Sequence, residues 1–187
     1  KIICLGKNYG DHAREFDNQI PAAPILFAKA GTALNGPNDP IVLPKSVRQV
    51  DCEVELAVII GKTAKAVAAK QALDYVAGYT ILNDVTDRAA QRSDGQWFRG
   101  KSPDTFCPLG PFLVTGADIP DPHALRLESK LNGKVMQSGH TSDLIFKIPF
   151  LVEYISATMT LQPGDIISTG TPAGVGSARN PPVYLQQ

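Results

Sequence analysis

The apolar residues of the chain occur in short segments, and this limits the secondary structure that the chain can form. Its 187 residues include 15 prolines and 16 glycines, and turn-forming stretches such as LNGPNDPIVLP, LGPFLVTGADIPDP and LQPGDIISTGTPAG separate the apolar pieces. Short apolar segments between regular turns are typical of sheet-rich domains. We therefore expect one domain over residues 1–187, α+β but mostly β: a mixed β-sandwich or roll with a few helices outside it.

The clearest local prediction is a hairpin over residues 125–138, LRLESKLNGKVMQS. Asn132 and Gly133 would supply the positive φ angles of a tight turn between two alternating strands. Helical periodicity is sparse by comparison. It predicts one helix over residues 67–76 and another over residues 148–159.

The first helix should be closed by Gly78, and the second should be entered after the capping-type residues Thr141 and Ser142. Both would pack outside the sheet. They are the only helices that the pattern predicts with any strength, so most of the core must come from strands.

Charge and cysteine content indicate which partners and which cellular location to expect. Eighteen basic and eighteen acidic residues cancel without a run of like charge, which argues against a nucleic-acid or membrane partner. Cys4, Cys52 and Cys107 include no CxxC pair and are odd in number, so we expect small buried side chains, with a catalytic thiol as the alternative. The N-terminal IICL is too short for a signal peptide. We expect a cytoplasmic protein that binds small molecules or other copies of itself.

Carboxylates are spaced along VDCEVELAVII, residues 50–60, in a way that suggests a metal site. If this segment is one strand, Asp51, Glu53 and Glu55 share a face that begins acidic and ends apolar. The segment GYTILND predicts a second buried strand that ends at Asp84. Glu53, Glu55 and Asp84 are three carboxylates, with no His or Cys among them. Such a set suits a hard ion, Mg²⁺ or else Mn²⁺ or Ca²⁺, with positions open to substrate. The alternative is a solvated polar edge.

Groups suited to an anionic ligand follow in the sequence. Arg88 and Gln91 come four and seven residues after Asp84, on one side of any helical turn that begins there. The Gly-rich turn TGTPAGVG, residues 169–176, offers hydroxyls and free amides that can hold a carboxylate. Surface positions and a plain tight turn are the respective alternatives.

His12 and Glu15, three residues apart in GKNYGDHARE, would be neighbours on a helical face. A histidine oriented by a carboxylate can deprotonate water near neutral pH. A solvated His/Glu pair is the simpler interpretation.

The stretch GQWFRGKS, residues 95–102, fits the written pattern of a phosphate-binding P-loop. Its context does not fit: no apolar strand precedes it, bulky side chains fill the loop, and Pro103 biases Ser102 away from helical geometry. Lys101 therefore needs another explanation.

Taken in order, the segments GKNYGDHARE, DCEVELAVIIG, GYTILNDVTDRAAQ, QWFRGKSPDTFCPLGP, TSDLIFKIP and LQPGDIISTGTPAGVG resemble the fumarylacetoacetate hydrolase family through nearly the whole chain. The resemblance implies the mixed β-roll of that family's C-terminal domain, usually a homodimer. It also implies binding of Mg²⁺ or Mn²⁺ and action on 2-oxo acids that carry a second carbonyl or an adjacent double bond.

The resemblance also implies roles for individual residues. The matched metal ligands are Glu53, Glu55 and Asp84, and the matched catalytic residues are Lys101 and the lid pair His12 and Glu15. The matched substrate-binding residues are Arg88, Gln91 and Thr171, the last as a contact of the substrate carboxylate. Residues 1–20 would include the lid.

The sequence departs from the family pattern at two places. Asp87 and Ala89 exchange the acidic and small positions that usually flank Arg88. The chain also stops at PPVYLQQ, where relatives continue into a further strand, so we expect that terminal segments are missing.

The leading hypothesis is hydrolysis of a carbon–carbon bond in an acylpyruvate-like 2,4-dioxo acid through a metal-stabilised enolate, with His12 activating water on a closing lid. The runner-up is decarboxylation or keto/enol isomerisation of a related 2-oxo dicarboxylic acid, of the oxaloacetate or 2-hydroxyhepta-2,4-diene-1,7-dioate type. A binding protein without turnover is a third possibility, and a structural domain with chance acids a fourth.

Overall fold

The computed structural model describes residues 1–16 and 19–186. Its strands are β1 (Ile2–Gly6), β2 (Ile25–Lys29), β3 (Leu34–Asn35), β4 (Val50–Asp51), β5 (Val54–Ile60), β6 (Val76–Asn83), β7 (Thr86–Asp87), β8 (Cys107–Thr115), β9 (Arg126–Leu131), β10 (Lys134–His140) and β11 (Ile166–Ser168). The α-helices are α1 (Gly10–Arg14), α2 (Arg88–Ser93), α3 (Phe98–Lys101) and α4 (Ile148–Thr158). Short 3-10 helices cover Gly31–Ala33, Ala69–Tyr75, Thr141–Asp143 and Gly176–Ala178.

A seven-stranded mixed sheet organises the described residues, in the order β2-β1-β11-β5-β6-β8-β3. Strands β1 and β11 are parallel, whereas β5 is antiparallel to both β11 and β6. The hairpin β9–β10 and the short pair β4–β7 complete the strands. The mostly β α+β class predicted from the sequence is confirmed.

Strand β5 is buried on both faces because apolar layers cover the sheet on each side. Leu56 and Val58 belong to the larger core cluster together with Leu151 and Ile155 of α4. Ala57 points the other way, into a smaller cluster with residues of β1, β6 and β8. The alternating pattern of β5 therefore places the Glu55 side chain on the Ala57 face, the side of the smaller cluster.

The predicted hairpin is present, with Asn132 at φ 50° and Gly133 at φ 79° between β9 and β10. Helix α4 is also present, but it does not begin at Thr141 and Ser142. Those residues form a separate 3-10 turn, and α4 begins after Lys147 with a proline in its first turn. Proline is tolerated there because the first helical N–H groups have no intrahelical partner.

The helix predicted over residues 67–76 is wrong in type and extent. The main-chain N–H of Val67 donates to the Ser156 side chain, and the N–H of Ala69 donates to Glu153. These bonds to α4 hold the start of the segment extended, so only the 3-10 helix Ala69–Tyr75 remains. Gly78, expected to close a helix, lies within β6.

The predicted strand over residues 50–60 is interrupted. Asp51 belongs to β4, which pairs with β7, whereas β5 begins only at Val54. The N–H of Glu53 donates to the Asn83 side chain, and its carbonyl accepts from the N–H of Asp84. The chain leaves strand geometry there, and Glu53 is brought directly beside Asp84.

Candidate active site

Three buried carboxylates meet where β5 and β6 approach each other. Glu53, Glu55 and Asp84 are 4%, 1% and 0% exposed, and each offers an oxygen within 4.8 Å of the others. Glu53 precedes β5, Glu55 lies in it, and Asp84 directly follows β6. The structure thus brings together the three residues that the sequence predicted as metal ligands.

Two buried lysines contact this cluster. Lys101 Nζ lies 2.7 Å from Glu53 Oε2 and 2.5 Å from Asp84 Oδ2. Lys29 Nζ lies 2.6 Å from Asp84 Oδ1. Burial alone would lower the pKa of Lys101, but the charges of Asp84 and Glu53 outweigh it and raise that pKa above its usual range. Lys101 is therefore held as an ammonium ion.

Arg88 joins the cluster from the first turn of α2. Its guanidinium donates to Asp51 Oδ2 and, at 2.6 Å, to Glu53 Oε1. Burial alone would raise the pKa of Glu53, yet the charges of Arg88 and Lys101 hold it well below its usual range. Arg88 also donates to Gln91 Oε1 at 3.0 Å, so the predicted pair lies on one helix face.

Glu55 differs from its neighbours because, in the described chain, no cation forms an ion pair with it. Its Oε2 accepts from Ser168 Oγ at 2.5 Å and from the Gly170 N–H at 2.8 Å. Burial raises its pKa to about 8, and the charges of Asp84 and Glu53 add to the shift.

The residues present fit a divalent cation. An uncompensated buried carboxylate is costly, and Glu55 would gain an electrostatic partner from a cation shared with Glu53 and Asp84. The donors are all carboxylate oxygens, which hard ions prefer. The fit agrees with the expected Mg²⁺, Mn²⁺ or Ca²⁺ and does not distinguish among them.

The cluster opens into a cavity of about 430 Å³. Among its lining residues are Glu53, Glu55, Lys101, His12, Arg88, Gln91 and Thr171. Every residue predicted for catalysis or substrate binding, except Glu15, thus borders one space. Glu15 lies behind His12, with its Oε2 3.0 Å from His12 Nδ1.

The main-chain amides of the Gly-rich turn bind carboxylates of the protein, whereas the sequence predicted that they bind a ligand. The sequence predicted free amides over residues 169–176, but the N–H groups of Gly170, Gly174 and Gly176 donate to Glu55, Glu15 and Asp51. Gly174 has φ 104°, and a Cβ there would clash with a main-chain oxygen. The turn organises the site's acids instead of offering these amides to a ligand.

Thr171 is buried at the cavity wall. Its hydroxyl donates to the Val54 carbonyl at 2.9 Å and accepts from Gln137 Nε2 at 2.6 Å. Its hydroxyl proton is therefore committed to the protein.

The P-loop interpretation of residues 95–102 is excluded by the geometry. Helix α2 precedes this segment in place of a strand, and Ser102 Oγ accepts a bond from the Ala30 N–H. Lys101 points into the carboxylates and lies 5.0 Å from the centroid of the Phe27 ring.

Asp87 caps helix α2, since its side chain accepts from the N–H groups of Ala89 and Ala90. The acid that departs from the family pattern therefore fixes the helix that carries Arg88 and Gln91.

Three features of the site were not predictable from local sequence: Lys29, Gln137 and the positioning role of Asp51. Lys29 ends an ordinary strand, and Gln137 lies in a hairpin, so neither has a local motif. Asp51 was visible as part of the acidic strand face, but its bonds to Arg88, Gly176 and Ser177 depend on tertiary packing.

Comparison with known proteins agrees with the family resemblance noted in the sequence. The family model described as "Fumarylacetoacetate (FAA) hydrolase C-terminal" matches residues 1–187. The chain is 49% identical to "Oxaloacetate tautomerase FAHD2A, mitochondrial" of Bos taurus, over 100% of this chain and 60% of that protein. It is 48% identical to "2,4-didehydro-3-deoxy-L-rhamnonate hydrolase" of a Sphingomonas species, over 100% of this chain and 66% of that protein.

Among solved structures, 2-hydroxyhepta-2,4-diene-1,7-dioate isomerase from Mycobacterium marinum superposes with a TM-score of 0.85 at 50% identity. That match covers 94% of this chain and 65% of the isomerase chain. The chain thus spans about 60% of the length of the bovine tautomerase.

Proposed function

Because the chain belongs to the fumarylacetoacetate hydrolase family, we propose that it interconverts the keto and enol forms of a 2-oxo acid in the cavity described above. The observation that carries this proposal is the shared cavity: His12, backed by Glu15, lies across one space from Lys101 and the carboxylate cluster. A base and a positive centre on one space are what proton transfer next to a carbonyl requires.

His12 is the base in this scheme. If the Nδ1–H donates to Glu15, Nε2 is left without a proton and able to accept one. The proton comes from C3 of the substrate, its bonding pair forms the C2–C3 double bond, and negative charge develops on the C2 oxygen. The reverse transfer returns the keto form.

Lys101 stabilises the charge on the C2 oxygen, since its ammonium is maintained by Glu53 and Asp84. A divalent ion such as Mg²⁺ or Mn²⁺, bound to Glu53, Glu55 and Asp84, would supply Lewis-acid polarisation of the 2-oxo group. Arg88 and Gln91 border the same space and would orient the substrate. Thr171 borders the same space and would contact the substrate carboxylate.

Hydrolysis of an acylpyruvate is the second candidate, and the cavity has room for it. A space of about 430 Å³ accommodates a water molecule beside a small oxo acid. His12 would take a proton from that water as it attacks the C4 carbonyl, and the C3–C4 bonding pair would pass to C3 as the pyruvate enolate. The acyl part would leave as a carboxylic acid, and the proton on His12 would convert the enolate to pyruvate. Decarboxylation would use the same positive centre without the water.

A substrate panel with Mg²⁺ and EDTA controls tests the proposal. Loss of enol absorbance from an enolised 2-oxo acid, without release of CO₂ or a carboxylic acid, supports isomerisation. Pyruvate plus a carboxylic acid from an acylpyruvate supports hydrolysis. Binding of oxalate without turnover of any member of the panel would favour the non-catalytic alternative.

We further propose the homodimer that the sequence predicted. Ile81 of β6 and Phe112 of β8 lie near one edge of the large sheet and are 41% and 76% exposed. Ile81 pairs with Leu56, whose face is covered elsewhere by α4, so an apolar sheet face continues uncovered there. A second copy is the partner that would cover it.

No helix in residues 1–16 and 19–186 has the length and apolar character needed to cross a membrane. The cytoplasmic location stays a prediction, because the bovine relative is named as mitochondrial. The lid that residues 1–20 were expected to include is likewise a proposal, and residues 17 and 18 lie outside the described residues.

A further inference from the structure

Helix α2 presents two arginines to the cavity, one turn apart, and they differ in their partners. Arg88 and Arg92 both line the cavity, and the four-residue spacing places them on one helix face. Arg88 commits four of its five N–H donors to Asp51, Glu53 and Gln91. One N–H of its Nη1 is therefore left for the substrate.

Within residues 1–16 and 19–186, Arg92 is bound only by neutral acceptors. Its Nε donates to the Arg88 carbonyl at 3.1 Å and its Nη2 to Gln49 Oε1 at 3.1 Å. Neither contact neutralises its charge, and no ion pair of Arg92 occurs among the described residues. Asp94, the nearest acid in sequence, is bound by Arg99 Nε and Nη2. A guanidinium has five N–H donors, so most of those of Arg92 are available.

The two bonds orient the side chain of Arg92, which is an exposed residue. The Arg88 carbonyl belongs to a helix capped by Asp87, and Gln49 immediately precedes β4. A positioned, uncompensated guanidinium at a cavity wall is suited to bidentate binding of a carboxylate.

Aromatic side chains form another part of the cavity wall. Trp97 and Phe27 both line the space and meet edge to face, with ring centroids 5.3 Å apart. A Cβ on Gly6 would clash with the Trp97 ring, so glycine permits this close approach. Aromatic rings at the cavity wall suit contact with a planar enol.

We infer that Arg92 binds a second, distal carboxylate of the substrate, so that the preferred substrate is a 2-oxo dicarboxylic acid and not a 2-oxo acid with a neutral tail. The inference rests on the proposed function for the chemistry at the C2 end. It adds Arg92 as the specificity-determining residue, with Gln49 as the residue that positions it.

Arg92→Gln tests the inference with matched pairs of ligands. The turnover pair is enolised oxaloacetate, which has a distal carboxylate, and enolised acetylpyruvate, which has a neutral acetyl group. The binding pair is malate and lactate, 2-hydroxy acids with and without that carboxylate. Loss of a charge-assisted contact should raise KM for oxaloacetate and Kd for malate roughly tenfold or more, while acetylpyruvate, lactate and kcat change little.

Arg48→Gln is the matched control, because Arg48 is an arginine bound only to main-chain carbonyls and absent from the cavity wall. It should leave all four ligands unchanged. Equal loss for both members of each pair in Arg92→Gln would overturn the inference. Lys7 also lines the cavity, and selective loss in Lys7→Gln with Arg92→Gln unaffected would overturn it as well. Calorimetry of malate and lactate tests the role of Arg92 even if no 2-oxo acid is turned over, and that absence of turnover would instead refute the proposed function.

Discussion

Glu15 Oε1 accepts a 2.6 Å hydrogen bond from the Gly174 N–H, while its Oε2 lies 3.0 Å from His12 Nδ1. One carboxylate thus joins the N-terminal helix to the Gly-rich turn and orients the ring of the proposed base. The same turn donates to Glu55 and Asp51. The proposed base and the carboxylate cluster are therefore held by the same turn.

His12→Ala should lower kcat by about 10²- to 10⁴-fold, the usual contribution of a positioned acid–base group. Binding of oxalate, measured by calorimetry with Mg²⁺, should change little because the carboxylate cluster is intact. His140→Ala, at an exposed histidine, serves as the control and should retain full activity. A His12 variant that loses oxalate affinity and keeps kcat would make this histidine a binding residue.

Glu55 should make the stability of the metal-free protein depend on pH. Its pKa is raised from 4.5 to about 8 in the folded state, so the folded chain holds a proton that the unfolded chain has lost. The contribution of protonated Glu55 to the free energy of unfolding is complete below about pH 4.5 and is lost as the pH rises through about 8.

Urea unfolding in EDTA between pH 5 and 9 checks this expectation. Relative to Glu55→Gln, the wild type should lose a free energy of unfolding on the order of a few kcal/mol as the pH rises. Glu128→Gln, at a surface carboxylate, should follow the wild type. Parallel curves for the wild type and Glu55→Gln would show that Glu55 does not titrate in this range.

Lys101→Met keeps the length of the side chain and deletes the ammonium between Glu53 and Asp84. We expect weaker oxalate binding with Mg²⁺ and a kcat lower by about 10²-fold or more. Thermal-shift measurements with oxalate, pyruvate and ATP give the check, with Lys62→Met at an exposed lysine as the control. Stabilisation by ATP and no response to oxalate would contradict the assignment of Lys101.

Phe112→Ser should convert the proposed dimer to a monomer by removing the most exposed apolar side chain of the sheet face, at 76% exposure. Light scattering over a concentration series measures the mass. Val135→Ser, at an exposed position on the separate hairpin β9–β10, should leave the mass unchanged. A wild-type protein that is monomeric at all concentrations would refute the dimer.

Sequence predicted the acidic cluster well because its three members have local signals. Glu53 and Glu55 lie two residues apart beside an apolar strand, and Asp84 ends another. The interruption at Cys52 and Glu53 was not predictable, because it depends on the side chain of Asn83. It moves Asp51 out of the predicted shared strand and leaves it available to hold Arg88.

Lys29 is a residue of the site that the sequence could not predict. Its bond to Asp84 spans 55 residues, and nothing near it in the sequence marks it as part of the site. The segment over residues 67–76 has helical periodicity, yet hydrogen bonds to Ser156 and Glu153 of α4 override that pattern. Such outcomes follow from tertiary contacts that local propensity does not contain.

The most direct measurement of the central claim is exchange of the C3 hydrogens of pyruvate with D₂O, followed by NMR. Pyruvate has no C3–C4 bond to cleave, so exchange isolates proton transfer next to the 2-oxo group. We predict catalysed exchange with Mg²⁺, loss of catalysis in excess EDTA and in Glu53→Gln, and strong suppression in His12→Ala. Exchange at the uncatalysed rate in the Mg²⁺-loaded wild type, while the same preparation turns over another 2-oxo acid, would contradict the account.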